Sequence, residues 1–420
     1  MKKYIAFLLV LTIIACSTNR KAENKAPVTS YKHEANTIHP LYTVFHVNDS
    51  TSELYFKVSS KDLLYTRPDG INFSSNVLIS YRLMPAYESK QVDDSSSVRL
   101  IDINNDNSIK DLIGKISVKA FAAHSYFLRV TIEDKNRNTS ISNMIPVEKA
   151  NYVGRQNFLV KSKELDVPIF RNYVRMNEEL VLDYKIKKAQ TVYVRYYNRD
   201  FPLAAPPFSI GEPKPFQYKA DSIYTLNVSA DGKVNFSAAK NGFYHIQLDT
   251  TTHEGLTLYN FSESFPEIKK AEDLVPPLRF ITSRQEYEEI NLSKTPKAAI
   301  EKFWLNSTGS QDRAKEIIRK YYNRVKDANI FFTSFLEGWK TDRGMLYIIY
   351  GAPNVIYRSE YAETWVYGEE GNFNSLTFSF SKVDNPFTDN DFTLDRSTVY
   401  QQKWSEAVDI WRQGRTYLQD

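Results

Sequence analysis

The chain has 420 residues, 42% hydrophobic and 25% charged, with 28 Tyr, 25 Phe and a single cysteine. A formal net charge of +4, two units of it from Lys2 and Lys3, argues against a nucleic-acid partner, and one cysteine excludes an internal disulfide. No segment approaches the ~20 apolar residues of a membrane-spanning helix, the length fits two to three domains, and the aromatic content favours half-buried sheet surfaces.

The chain begins Met1-Lys2-Lys3, continues with an apolar run over 4–14, and reaches Cys16 through Ala15. A positive start, a short apolar run and a small residue before cysteine resemble a bacterial lipoprotein signal peptide with its lipobox. The resemblance implies loss of residues 1–15, lipidation of Cys16, and a mature protein held at a membrane outside the cytoplasm. Residues 16–38 are polar and aperiodic and read as a flexible tether. They lack the acidic cluster that marks surface-exported lipoproteins, so the same resemblance implies the periplasmic face of an outer membrane.

Short β-rich runs follow at 41–47, 54–58, 77–84, 116–121, 126–132 and 139–147, separated by turns such as Asn48-Asp49-Ser50 and Pro68-Asp69-Gly70. They predict a first β-sandwich of immunoglobulin-like type over 39–150, closed by a hairpin. A second is predicted over 151–272. In it Leu180, Leu182, Tyr184 and Ile186 face one way, Val192, Val194 and Tyr196 do the same, and 243–248 pairs with 256–261. The segment 201–216 contains Pro202, Pro206, Pro207, Pro213 and Pro215 and is a stiff extended loop. It is expected to pack on its own domain rather than serve as a docking arm.

After Pro276-Pro277 the pattern turns helical. Ser283 and Glu286 have capping-box spacing, and Thr295-Pro296 reads as an N-cap and first helical residue. Ala314, Ile317, Ile318, Tyr321, Tyr322, Val325 and Ala328 recur at steps of three and four. The opposite face, with Arg313, Lys315, Arg319, Lys320, Arg324 and Lys326, is expected to be solvated.

The most specific string is Gly338-Trp339-Lys340-Thr341-Asp342 followed by Arg343-Gly344. Tyr350-Gly351-Ala352-Pro353 and Trp365-Val366-Tyr367 come after it. The string resembles the signature of the GWxTD domain, a family of envelope proteins of the Bacteroidetes group, and the resemblance extends over about 275–420. It implies an envelope role and no established catalytic residue. The order of helix, G-x-P turn, W-x-Y strand and second strand also resembles the small lipoprotein of the outer-membrane barrel-assembly machine.

Read physically, the motif is structural or partner-binding. Gly338 allows close approach, Trp339 anchors a loop in the core, Thr341 or Asp342 caps the next element, and Arg343 seeks Asp342 or Glu363. A two-turn helix from Thr341 to Gly351 is favoured over a strand for 345–350, and Trp365 and Tyr367 pair with 376–380. A last helix is expected over 397–413.

None of the six histidines (His33, His39, His46, His124, His245, His253) lies beyond 253. The signature region thus lacks the parts of Ser-His-Asp, Cys-His and His-zinc chemistry. A carboxylate pair of Asp342 with Glu363, Glu369 or Glu370 remains, as does a calcium loop at Asp389-Asn390-Asp391 with Asp395. An ion pair and a solvated loop are the favoured readings, so no metal and no cofactor is expected. Ser50, Ser222 and Thr250 sit in triplets that resemble Bacteroidetes O-glycosylation sites. The overall expectation is two all-β immunoglobulin-like sandwiches followed by a C-terminal α+β domain. The function expected is that of a non-enzymatic outer-membrane lipoprotein, a scaffold or accessory subunit of a complex in outer-membrane protein assembly or export. The alternative is a glycan- or peptide-binding lipoprotein that uses exposed Tyr and Trp for stacking.

Overall fold

The computed structural model describes residues 24–26 (as backbone), 38–184, 191–211, 216–369, 371–372 and 375–417. Cys16 and the signal segment, Ile186, Pro213, Pro215 and Glu370 lie outside them. Five antiparallel sheets account for most of the regular structure, with a helical region near the C-terminal end.

In the first unit β2 (Leu41–Asn48), β3 (Thr51–Ser59) and β6 (Asp111–Lys119) form one sheet in the order β2-β3-β6. β5 (Asp94–Ile103), β4 (Ser74–Met84), β7 (Ser125–Asp134) and β8 (Thr139–Glu148) form the other, in that order. Alternation decides which side is inside: Val77, Ile79, Tyr81 and Leu83 on β4 and Leu128, Val130 and Ile132 on β7 are buried. They share one apolar core with Leu54, Phe56 and Val58 of β3. The sequence reading has no counterpart for β5. Its inner face offers only half-buried Val98 and Leu100, while Ile101 and Ile103 are exposed.

The second unit repeats the plan with a three-stranded sheet of β13 (Lys233–Phe236), β10 (Leu180–Tyr184) and β9 (Phe158–Ser162). A four-stranded sheet of β12 (Ser222–Asn227), β11 (Thr191–Tyr197), β14 (Gly242–Gln247) and β15 (Leu256–Asn260) packs on the same core. Phe201 and Phe216, at the ends of the proline-rich loop, pack on Tyr197 and Phe243 of this unit and also reach beyond it. They join Phe335 and Phe387 in an aromatic cluster with Tyr197, Phe243 and Tyr259. Ala204 donates its backbone N–H to the Lys340 carbonyl at 3.0 Å, and Ser397 donates to Pro207 at 3.0 Å. The loop therefore packs on its own unit at its ends, as expected, and between them also straps the C-terminal unit.

The C-terminal unit holds α1 (Ala271–Leu274), α2 (Arg284–Asn291), α3 (Pro296–Thr308), α4 (Gln311–Phe332), α5 (Asp342–Tyr350) and α6 (Gln401–Arg412). Its sheet runs β1 (Asn24–Ala26), β16 (Val355–Arg358), β17 (Ala362–Tyr367), β18 (Leu376–Lys382), β19 (Phe392–Leu394). The three residues of β1 come from the segment read as tether and pair along β16. The capping box on α2 is present, with Ser283 Oγ accepting from Glu286 N–H and the Glu286 carboxylate accepting from Ser283 N–H at 2.8 Å. Thr295 is the N-cap residue of α3 but makes no side-chain cap, and Pro296 alone marks the start. On α4 the expected apolar face is buried. Arg324, placed by the pattern on the solvated face, instead turns inward and is 5% exposed.

Candidate functional site

The signature string lies where α4, α5 and the aromatic core meet. Gly338 crosses the end of α4 so closely that a Cβ there would sit 1.9 Å from the Ala328 carbonyl oxygen. A Cβ on Gly344 would sit 1.9 Å from the Gly338 carbonyl oxygen, so the two glycines let three backbone segments stack. Between them Trp339 is buried edge-on to Phe280, and its backbone N–H donates to Asn329 Oδ1 at 3.2 Å. Thr341 is the N-cap of α5: its Oγ1 accepts from Gly344 N–H at 3.0 Å and donates to the Gly338 carbonyl at 2.7 Å. The two-turn helix favoured for this segment is thus the observed one.

The charged residues of the motif are all engaged. Asp342 accepts from Leu394 N–H at 2.8 Å and pairs with Arg396. Arg343, 2% exposed, pairs with Glu363 at 3.4 Å and donates to the Asn390 carbonyl at 2.8 Å. Its guanidinium lies 4.0 Å over the Phe392 ring and 5.3 Å over that of Phe332. Glu363 in turn accepts from Arg358 at 3.0 Å and from the Trp365 indole at 3.1 Å. Of the two partners open to Arg343 in the sequence, the more distant one is used. Asp342 and Glu363 therefore do not form a free carboxylate pair, and Glu369 is exposed on a bend.

At the other end of α5, Gly351 has φ +83°, and Arg324 donates to the carbonyls of Ile348 and Ile349, both at 3.2 Å. A buried cation here satisfies the orphan carbonyls and complements the helix dipole. Pro353 is buried just beyond, and the Tyr367 hydroxyl donates to the Gly351 carbonyl at 2.9 Å.

The acidic loop is committed as well. Asp389 pairs with Arg155 at 3.0 Å, Asn390 holds Arg343, and Asp391 accepts from Asn385 Nδ2 at 2.9 Å. Burial pushes the Asp391 carboxyl above its ordinary range. Among the described residues no cluster of three His, Cys, Asp or Glu is arranged to hold a metal ion. Ser50, Ser222 and Thr250 are all exposed. The five tryptophans, expected to include stacking platforms, are all buried: each has a place in the packing of the C-terminal unit.

Two clusters of catalytic composition lie outside the signature motif. At the first, Lys149 donates to the Asn48 and Thr51 carbonyls and to Ser52 Oγ, and Ser52 Oγ lies 2.9 Å from His46 Nδ1. Burial pulls the Lys149 ammonium down to about 8 and His46 down to about 4. Ser52 is fully buried, so this group locks the β2–β3 turn and meets no substrate. At the second, His245 is fully buried, with Nδ1 at 2.9 Å from Thr257 Oγ1 and Nε2 at 2.9 Å from the His253 carbonyl. Desolvation pushes it down to about 3, so it is a neutral core histidine.

An open cleft of ≈ 1360 Å³ lies between the first unit and the C-terminal unit. Leu41, Arg129 and Met144 line one side, and Tyr361, Lys382 and Phe392 come from the other unit. Its walls come from segments far apart in the chain, so no local sequence signal marks it.

Residues 242–413 match the GWxTD domain. The match begins at the first residue of β14 rather than near 273, and the packing explains the earlier start. Phe243 and Tyr259 of the β14–β15 hairpin pack on Phe387, whose carbonyl accepts from the Tyr259 hydroxyl at 2.6 Å. No curated protein shows a significant match to the chain. The signature string, its buried ion pairs and the match together establish that this chain carries a GWxTD domain over residues 242–413.

Proposed function

We propose that the protein is a lipid-anchored, non-enzymatic scaffold or accessory subunit of a bacterial outer-membrane complex, acting in the assembly or export of membrane proteins. Cys16 carries the lipid in this reading, on the periplasmic face, and the two β units are immunoglobulin-like sandwiches. The observation that carries the proposal is the state of the signature motif. Its glycines set backbone contacts, Thr341 caps a helix, Asp342 is neutralised by Arg396, and Arg343 by Glu363. A motif spent on shape supports binding rather than turnover. The strap of 201–211 and the aromatic cluster support a second unit held firmly on the GWxTD region.

The test is affinity capture of the lipidated protein from its own membranes in mild detergent, with mass spectrometry of what is retained. A defined set of outer-membrane proteins in stoichiometric amount is the expected result. Recovery of the protein alone sinks the scaffold reading. A ligand-binding role is the second reading, and the cleft favours it. Burial of all five tryptophans removes the main stacking surfaces for a glycan and leaves a peptide as the better ligand.

A further inference from the structure

β8 is the last strand of its sheet, and among the described residues no strand pairs with its outer side. The direction of its backbone groups follows from one contact. Gln156 Oε1 accepts from Glu148 N–H at 2.9 Å, and Gln156 Nε2 donates to the Pro146 carbonyl at 2.7 Å. Residues 146 and 148 therefore point away from β7. The register with β7 is unbroken from Thr139 to Glu148, and in an antiparallel strand every second residue points the same way. Ser140, Ser142 and Met144 thus present N–H and C=O outward, and all three line the cleft. The side-chain amide of Gln156 already continues the ladder by one step, with the donor and acceptor of a peptide group.

Exposed sheet edges are normally blunted by charge, proline or cover, because they template pairing with other chains. β5, at the opposite edge of the same sheet, carries Asp94, Arg99 and Asp102. β8 carries no charged side chain from Thr139 to Val147, and its one proline, Pro146, lies beside the Gln156 cap. What faces it is the C-terminal unit, across a cleft of ≈ 1360 Å³. Exposed apolar side chains line that space, among them Leu41 (43% exposed), Ile330 (42%) and Tyr361 (59%), together with charged groups such as Lys57, Arg129, Glu360 and Lys382. They suit the alternate side chains of an amphipathic strand.

We infer that the outer edge of β8 is a strand-addition site, which binds an extended, alternating polar–apolar peptide segment of another protein in the cleft. Main-chain hydrogen bonds to Ser140, Ser142 and Met144 supply the affinity, and the apolar wall residues select the pattern. The site gives a location to the peptide reading and does not depend on the scaffold reading. Failure of the membrane capture leaves it standing, and failure of the peptide test leaves the capture result standing.

The experiment uses the full chain and a fluorescent peptide Thr-Val-Thr-Tyr-Thr-Val-Thr, blocked at both ends, read by anisotropy. Two further peptides carry N-methyl groups on alternate residues, one in each frame. Saturable binding is expected for the parent peptide. One methylated frame should bind as the parent does, and the other, which turns its methyl groups to β8, should bind about tenfold or more weaker. Met144→Pro removes an outward donor without touching the β7 ladder and repeats, two residues earlier, what Pro146 already does. It should fold as wild type by circular dichroism and lose binding by a similar factor. If that variant does not fold, the two methylated frames still decide. Equal binding of both frames, no saturation up to about 1 mM, or unchanged binding by folded Met144→Pro overturns the inference. So does a peptide-competed dimer in sedimentation, which would assign the edge to a second copy of this chain.

Discussion

The GWxTD motif and the β8 edge face opposite demands. At the motif every charge is paired, Arg343 and Glu363 are buried, and a methyl group on either of two glycines would collide with backbone. Across the cleft, β8 leaves three residues' worth of backbone donors and acceptors toward open space, on a strand without charge. The most recognisable string in the chain is therefore the least available for contact. The surface with capacity to bind lies in a unit that the domain match does not reach.

Substitutions sharpen this contrast in order of effect. Glu363→Ala leaves Arg343 buried without its carboxylate between two aromatic rings, and should cost about 3–5 kcal/mol, measured by denaturant unfolding. Gly338→Ala forces its methyl into the Ala328 carbonyl and should cost about 3 kcal/mol, at or above the upper end for overpacking. A loss near zero for either would show that the motif is not the keystone described.

Acid should weaken the protein next. His245 and His46 have folded values of about 3 and about 4, below the ordinary 6.5, so the unfolded chain binds more protons between those values. Their contribution to stability is complete above about 6.5 and is lost as pH falls toward 4 and then 3, at no more than ~1.4 kcal/mol per pH unit for each histidine. His245→Gln should reduce the slope of stability against pH in that window, and an unchanged slope would refute the assignment. Thr341→Ala removes the cap of α5 and should cost about 1 kcal/mol in thermal or chemical unfolding. Met144→Pro is the mildest, with a change within about 0.5 kcal/mol, because its N–H has no partner among the strands described.

What was legible in the sequence was local. The Ser283–Glu286 box, the Thr341 cap, the stop at Gly351 and the pairing of Trp365 with Phe378 each need only a few neighbouring residues. The Arg343–Glu363 pair was also within reach, because few carboxylates were offered. Missed features needed distant partners. Arg324 sits in a basic stripe, and only the Ile348 and Ile349 carbonyls, brought up by α5, explain its inward turn. The strap of 201–211 carries no mark of the GWxTD unit that receives it. β5 shows too little apolar alternation to be read as a strand, because one of its faces covers the core only in part. The cleft and the β8 edge arise from register and topology, which composition does not encode.

The account turns on a separation of stability from binding, and one measurement tests it directly. The parent peptide is titrated against Thr341→Ala and Met144→Pro, both held well below their unfolding temperatures. The account predicts that Thr341→Ala, though less stable, binds as wild type does, while Met144→Pro, as stable as wild type, loses binding by about tenfold or more. Binding lost by Thr341→Ala and kept by Met144→Pro would contradict it and return the binding surface to the motif.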